Sequence, residues 1–140
     1  MPVDSSNVQA ILTARARTGR SKVIALVNPG SDTFRRAFAT TPNVEFVEFG
    51  KRDLFCRAIA ESEERIAAVI AEPKLEIDLV HRRFLRRAKD LSSAEGAVLV
   101  WDETEALGTG EFSGEVLNSY ALNPDLICFR TSKGTEVKAL

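Results

Sequence analysis

The sequence is sparing with the residues that staple, ligate or catalyse. It has two cysteines, Cys56 and Cys128, one histidine, His81, and one each of methionine, tryptophan and tyrosine among 140 residues. The cysteines are far apart and each sits in an apolar run, so they read as small buried hydrophobes of a reducing compartment rather than a disulfide or metal pair. With a single histidine, a Ser-His-Asp triad would have to pass through His81, and no G-x-S-x-G elbow accompanies it. The G-x-x-x-x-G-K-[ST] phosphate loop is also missing, since Gly50-Lys51-Arg52 and Lys133-Gly134 have the wrong spacing; this argues against nucleotide hydrolysis. Charge of one sign is lacking too. A formal net charge of −1 gives no general attraction to nucleic acid. No apolar stretch approaches the ~18 residues of a membrane span, and Met1-Pro2-Val3-Asp4 lacks the basic and apolar regions of a secretory signal. The chain is therefore expected in the cytoplasm, with neither a membrane nor a nucleic-acid partner.

What is present is a regular alternation of helical and strand patterns, with no repeat, low-complexity segment or linker, as one domain spanning residues 1–140. Ser5 or Ser6 caps a first helix with Val8, Ile11 and Leu12 on one stripe, and Gly19 ends it. Val23 to Val27 is a continuous apolar run, the mark of a strand covered on both faces. Ser31 or Asp32 opens a helix carrying Phe34, Ala37 and Phe38, and Val44 to Phe49 is the next strand. Asp53 begins a helix with Leu54, Phe55, Ala58 and Ile59 inward, followed by a third strand, Ile66 to Ala71. A helix from about Leu79 to Leu91 and a strand from Ala97 to Trp101 come next. The remainder reads as a helix near Val116 to Ala121, a strand Leu126 to Phe129 and a polar tail. Strands alternating with amphipathic helices predict an α/β fold: a three-layer αβα arrangement around a mostly parallel sheet, with ligands beyond the carboxyl ends of its strands.

The sharpest local feature is Ala97-Val98-Leu99-Val100-Trp101-Asp102-Glu103, a buried strand ending on two carboxylates. Carboxylates so placed can hold a magnesium ion, act as a base or pair with a cationic ring nitrogen. A helix cap or a surface salt bridge is the plainer alternative. Asp102 is expected at a solvated crevice mouth. The basic segment His81 to Lys89 puts Val80, Phe84, Ala88 and Leu91 on one face and its arginines on the other, as an ordinary solvated helix does. Gly108-Thr109-Gly110 and Gly114 indicate a glycine-rich loop after Asp102-Glu103.

Four segments in order carry a family resemblance: Ala10 to Lys22 (A-I-L-T-A-R-A-R-T-G-R-S-K), Ile66 to Pro73 (I-A-A-V-I-A-E-P), Ala97 to Glu103 (A-V-L-V-W-D-E) and Asn123 to Phe129 (N-P-D-L-I-C-F). Together they resemble successive blocks of the class III pyridoxal-phosphate aminotransferases, nearest to the glutamate-semialdehyde aminomutase branch. The resemblance implies the middle of a fold-type I large domain, without counterparts to the preceding segments or the small C-terminal domain. It gives Asp102, with Glu103 beside it, the part of cofactor-binding residue, the aspartate pairing with the pyridine nitrogen. Other site positions depart from the family. Its phosphate-binding S-G-T block falls on Pro2-Val3-Asp4, where an anion repels phosphate. The ring-stacking aromatic and the neighbouring histidine fall on Gly30 and Ser31. Thr131 occupies the aligned position of the Schiff-base lysine, and Lys133 reaches it only by a two-residue slip. The leading expectation is a catalytically degenerate domain without pyridoxal phosphate that acts by association, as a homodimer or with a full-length aminotransferase chain. Two other readings remain: a transaminase or aminomutase using Lys133 and Asp102 with a partner's help, and a small-molecule binder reusing the cofactor crevice, Asp102 and Glu103 at its mouth.

Overall fold

Val23, Ile24, Ala25 and Leu26 are wholly buried, because the strand they form is covered on both faces and flanked on both edges. The computed structural model of the chain describes residues 6–72, 79–103, 124–131 and 133–139. It contains β1 (Lys22–Val27), β2 (Val44–Glu48), β3 (Ile66–Ala71), β4 (Val98–Asp102), β5 (Leu126–Thr131) and β6 (Gly134–Ala139). The helices are α1 (Ser6–Thr18), α2 (Thr33–Ala37), α3 (Arg52–Ala60) and α4 (Leu79–Glu95). One six-stranded sheet runs in the order β2-β1-β3-β4-β5-β6. The first five strands are parallel and β6 is antiparallel to β5.

Alternation along each strand divides the core into two layers. Ile24, Leu26, Val69, Leu99, Trp101 and Ile127 meet Phe55 and Ala58 of α3 and Phe84, Leu85 and Ala88 of α4. On the opposite face, Val23, Ala25, Ala68, Ile70, Val98 and Val100 meet Ala10, Ile11 and Ala14 of α1 and Phe34 of α2. This is the expected three-layer αβα arrangement.

Several local expectations are corrected. The polar tail is a strand: Gly134–Ala139 pairs along its whole length with β5. Its backbone ladder holds it, although its alternating polar residues bury little, which is why no apolar run announces it. The buried stripe of α1 is Asn7, Ala10, Ile11 and Ala14, one position off the predicted one, and Leu12 is 55% exposed. Leu54 and Val80 also face outward, the helical turn instead burying Phe55 and Leu85. The helix expected near Val116 to Ala121, the glycine-rich loop and the side chain of His81 lie outside the described residues.

Candidate functional site

The carboxyl ends of β1, β3 and β4 gather the buried polar side chains, as a parallel sheet requires. Asp102 closes β4 on the α1 face. It is 0% exposed, which corrects the solvated crevice mouth expected from sequence. The reason is α1, whose buried stripe begins with Asn7: its Nδ2 donates to Asp102 Oδ2 at 3.2 Å. Cys128, the register partner of Asp102 on β5, is buried beside it. Burial first, and the Asp102 carboxylate second, push the Cys128 thiol far above its ordinary range, opposed by the Ser6 hydroxyl.

Glu103 turns the other way. Its Oε2 accepts from Trp101 Nε1 at 3.0 Å, and its backbone N–H donates to the Cys128 carbonyl at 2.8 Å. The two consecutive carboxylates thus part to opposite faces of the sheet instead of forming one paired mouth, because neighbouring strand residues alternate.

Glu72, just past β3, is a buried carboxylate to which the sequence reading assigned no role. Asn28 Nδ2 donates to its backbone carbonyl at 2.9 Å, and Ser31 Oγ donates to its Oε1 at 3.1 Å. The loop between β1 and α2 is closed by Ser31 N–H donating to the Asn28 carbonyl at 3.0 Å. Ser31 is therefore engaged with the end of β3, while its Oγ also accepts from the Thr33 N–H that opens α2, at 3.5 Å; Asp32, the other cap expected from sequence, makes no side-chain cap bond. Gly30 takes φ +83, a conformation that favours glycine. Because Ala71 and Trp101 are register partners, Glu72 and Asp102 follow from adjacent strand ends. The signal for both was available, since Ile70-Ala71-Glu72 ends an apolar run on a carboxylate just as β4 does. Asn7 and Asn28 were harder to see, being single amides. The Oδ1 atoms of both find no partner among the described residues.

The basic residues of the T-G-R-S-K segment serve the scaffold. Gly19, at φ +68, ends α1, and Arg20 Nη1 donates to the carbonyls of Ile66 at 3.0 Å and Glu95 at 2.8 Å. Arg20 thereby ties the start of β3 to the end of α4. Lys22 Nζ lies 2.9 Å from Glu45. Thr131 ends the ladder of β5 opposite Gly134, and Lys133 stands exposed in the turn between them. Among the described residues no group of three or more metal-ligating side chains forms. A groove of about 590 Å³, lined by residues including Glu45, Glu48, Leu54 and Arg57, lies between β2 and α3, away from Asp102 and Glu72.

A parallel sheet with this polar cluster at its carboxyl edge, together with the order of its sequence blocks, is what the chain shares with part of the aminotransferases it is similar to. No family model matches it. Particular relatives are the glutamate-1-semialdehyde 2,1-aminomutase of Desulforudis audaxviator, 32% identical over 88% of this chain and 34% of its own length, and that of Thermomicrobium roseum, 29% identical over the same shares. The chain thus spans about a third of the length of these relatives. Among solved structures, an omega-transaminase from Sphaerobacter thermophilus superposes with a TM-score of 0.66 at 23% identity, over 88% of this chain and 34% of that one. An N-acetylornithine aminotransferase from Stenotrophomonas maltophilia matches equally well at 20% identity, over 96% and 38%. These likenesses carry the fold.

The fold family implies pyridoxal phosphate, and the described residues fit it poorly. Asp102, to which the resemblance gives the ring nitrogen, is enclosed and bonded to Asn7. Gly30 has no side chain to stack on a ring. The first amide of α1, Ser6 N–H, donates to Thr135 Oγ1 at 3.2 Å.

Proposed function

We propose that the chain is a cytoplasmic, catalytically degenerate class III-like domain that does not hold pyridoxal phosphate and acts by association, with a second copy or with a full-length aminotransferase chain. The observation that carries this is the end of β5. Thr131, the aligned position of the catalytic lysine, pairs in the ladder with Gly134, and Lys133 lies in the turn just before Gly134. Asp102 would be the other half of the chemistry, and its Oδ2 is already engaged by Asn7 inside the protein. The hydrogen bond between Asn7 and Asp102 ties α1 to the carboxyl end of β4. The crevice-binding alternative draws less support, since Asp102 and Glu103 are buried on opposite faces.

The test is the absorbance spectrum of the purified chain with added pyridoxal phosphate, then borohydride and peptide mass analysis. The expected spectrum is the sum of protein and free cofactor, with no stoichiometrically modified lysine. A new visible band with one equivalent fixed on Lys133 overturns the proposal in favour of the enzyme reading.

A further inference from the structure

The outward face of α4 carries charge of almost one sign. Arg82, Arg83, Arg86 and Arg87 are exposed and Lys89 is partly so, and none of them makes an ion pair among the described residues. Asp90, one turn after Arg86, does not pair with it. The adjoining helix of the same layer, α3, reaches α4 through Phe55, whose ring lies 5.8 Å from that of Phe84. Its Arg52 and Arg57 are exposed and likewise unpaired among the described residues. The acidic stretch Glu61 to Glu64 does not answer this charge: it lines the groove between β2 and α3, with Glu64 bonded to Asn43.

A solvated helix ordinarily interleaves carboxylates at i+3 and i+4 with its cations. In α4, Arg82 stands one turn from Arg86 and Arg83 one turn from Arg87, like-charge pairs that destabilise a helix. The first turn has no acidic residue, and Arg82 and Arg83 lie beside it, where the helix dipole disfavours cations. The fold thus holds a concentrated positive charge that it does not neutralise, and an anionic partner relieves it.

The chemistry of that partner follows from the surroundings. A membrane is excluded, because the apolar side of α4, with Phe84, Leu85 and Ala88, is buried against the sheet and has nothing to insert. A long polyanion is disfavoured, because a formal net charge of −1 leaves the rest of the chain acidic around so cationic a face. Val80, three residues before Arg83 and 66% exposed, adds an apolar contact beside the guanidinium groups. Arginine next to exposed apolar surface is the composition of a protein interface, and the guanidinium fork matches a carboxylate bidentately. The step of about 6 Å from Arg82 to Arg86, and from Arg83 to Arg87, equals that between acids at i and i+4 of a partner helix.

We infer that the α4 face bearing Arg82, Arg83, Arg86 and Arg87 docks an acidic helical segment of another protein, carboxylates on the guanidinium groups and an apolar side chain on Val80. This docking is independent of whether the chain holds pyridoxal phosphate, and goes beyond the association reading above by fixing the chemistry of a partner.

Fluorescence anisotropy of the whole chain with a labelled, alanine-based helical peptide tests it, the peptide carrying glutamates at i, i+1, i+4 and i+5. Saturable binding that weakens as salt rises is expected, with none to the same peptide carrying glutamines. Arg82→Gln combined with Arg86→Gln should weaken binding by about tenfold or more. Arg17→Gln combined with Arg36→Gln removes as much charge from the opposite side of the sheet and should leave it unchanged. Arg82→Glu with Arg86→Glu should shift the preference to a peptide with lysines in place of the glutamates. The glutamine variants on α4 break no contact among the described residues and should melt no lower than the parent chain. Arg83→Gln with Arg87→Gln repeats the test should either of the others fail to fold. No binding of the acidic peptide, or equal weakening by the variants on the two sides, overturns the docking face and leaves the degenerate-domain reading untouched. Tighter binding to duplex DNA of matched charge than to the peptide overturns it in favour of a nucleic-acid surface.

Discussion

Asn7 and Asp102, 95 residues apart in sequence, meet at 3.2 Å in the interior, joining the first turn of α1 to the last residue of β4. Asp102→Ala should therefore destabilise the fold by about 1–3 kcal/mol, because it strands the Asn7 amide in a buried place. Asp102→Asn keeps an acceptor oxygen there and should cost less. Urea denaturation measures both. A loss within about 0.5 kcal/mol for the alanine variant would mean the carboxylate is solvated, as its sequence position first suggested.

Leu26 is 0% exposed in a strand flanked by β2 and β3, and Leu26→Ala should cost about 2–5 kcal/mol. The amides of β1 should be among the slowest to exchange. Fast exchange along Val23 to Val27 would contradict a doubly covered strand.

Arg20 holds two backbone carbonyls from separate elements, so Arg20→Ala should lower stability by about 1–3 kcal/mol, and Arg20→Lys should recover only part of it. Equal melts for parent and alanine variant would show the clamp to be idle.

Cys128 gives the fold a pH dependence. Its thiol pKa is raised in the folded state, so its contribution is fully present below the ordinary thiol value of 9.0 and is lost as pH rises above it, the unfolded chain then binding fewer protons. Above that point stability should fall by up to about 1.4 kcal/mol per pH unit from this group. Denaturant melts between pH 8 and about 10.5 should fall less steeply in Cys128→Ala. Native thiol labelling should modify Cys56, which is partly exposed, well before Cys128. Parallel pH profiles, or equal labelling rates, would contradict the burial.

Much of the fold was legible because parallel strands covered on both faces must be apolar throughout, and Val23 to Val27 and Ile66 to Ala71 are. Asp102 and Glu103 were visible for the complementary reason, as charges abruptly ending such a run. Their surroundings were not, since burial of Asp102 depends on one amide, Asn7, whose place on the buried stripe of α1 is apparent only when the helical phase is known. β6 escaped because its ladder is backbone, which Glu136 and Lys138 neither reveal nor oppose. Lys133 could be located by counting from Pro124-Asp125, but its position in a turn follows from the Thr131–Gly134 pairing.

The most direct test of the central claim is single-turnover conversion of pyridoxal phosphate to its amine form by a panel of amino donors, with Lys133→Ala as control. Without a lysine in the aligned position or a side chain to stack on the ring, positioning is lost, and the chain should convert the cofactor no faster than the donors do in free solution. Conversion well above that rate, abolished in Lys133→Ala, would contradict the account and make Lys133 a catalytic nucleophile.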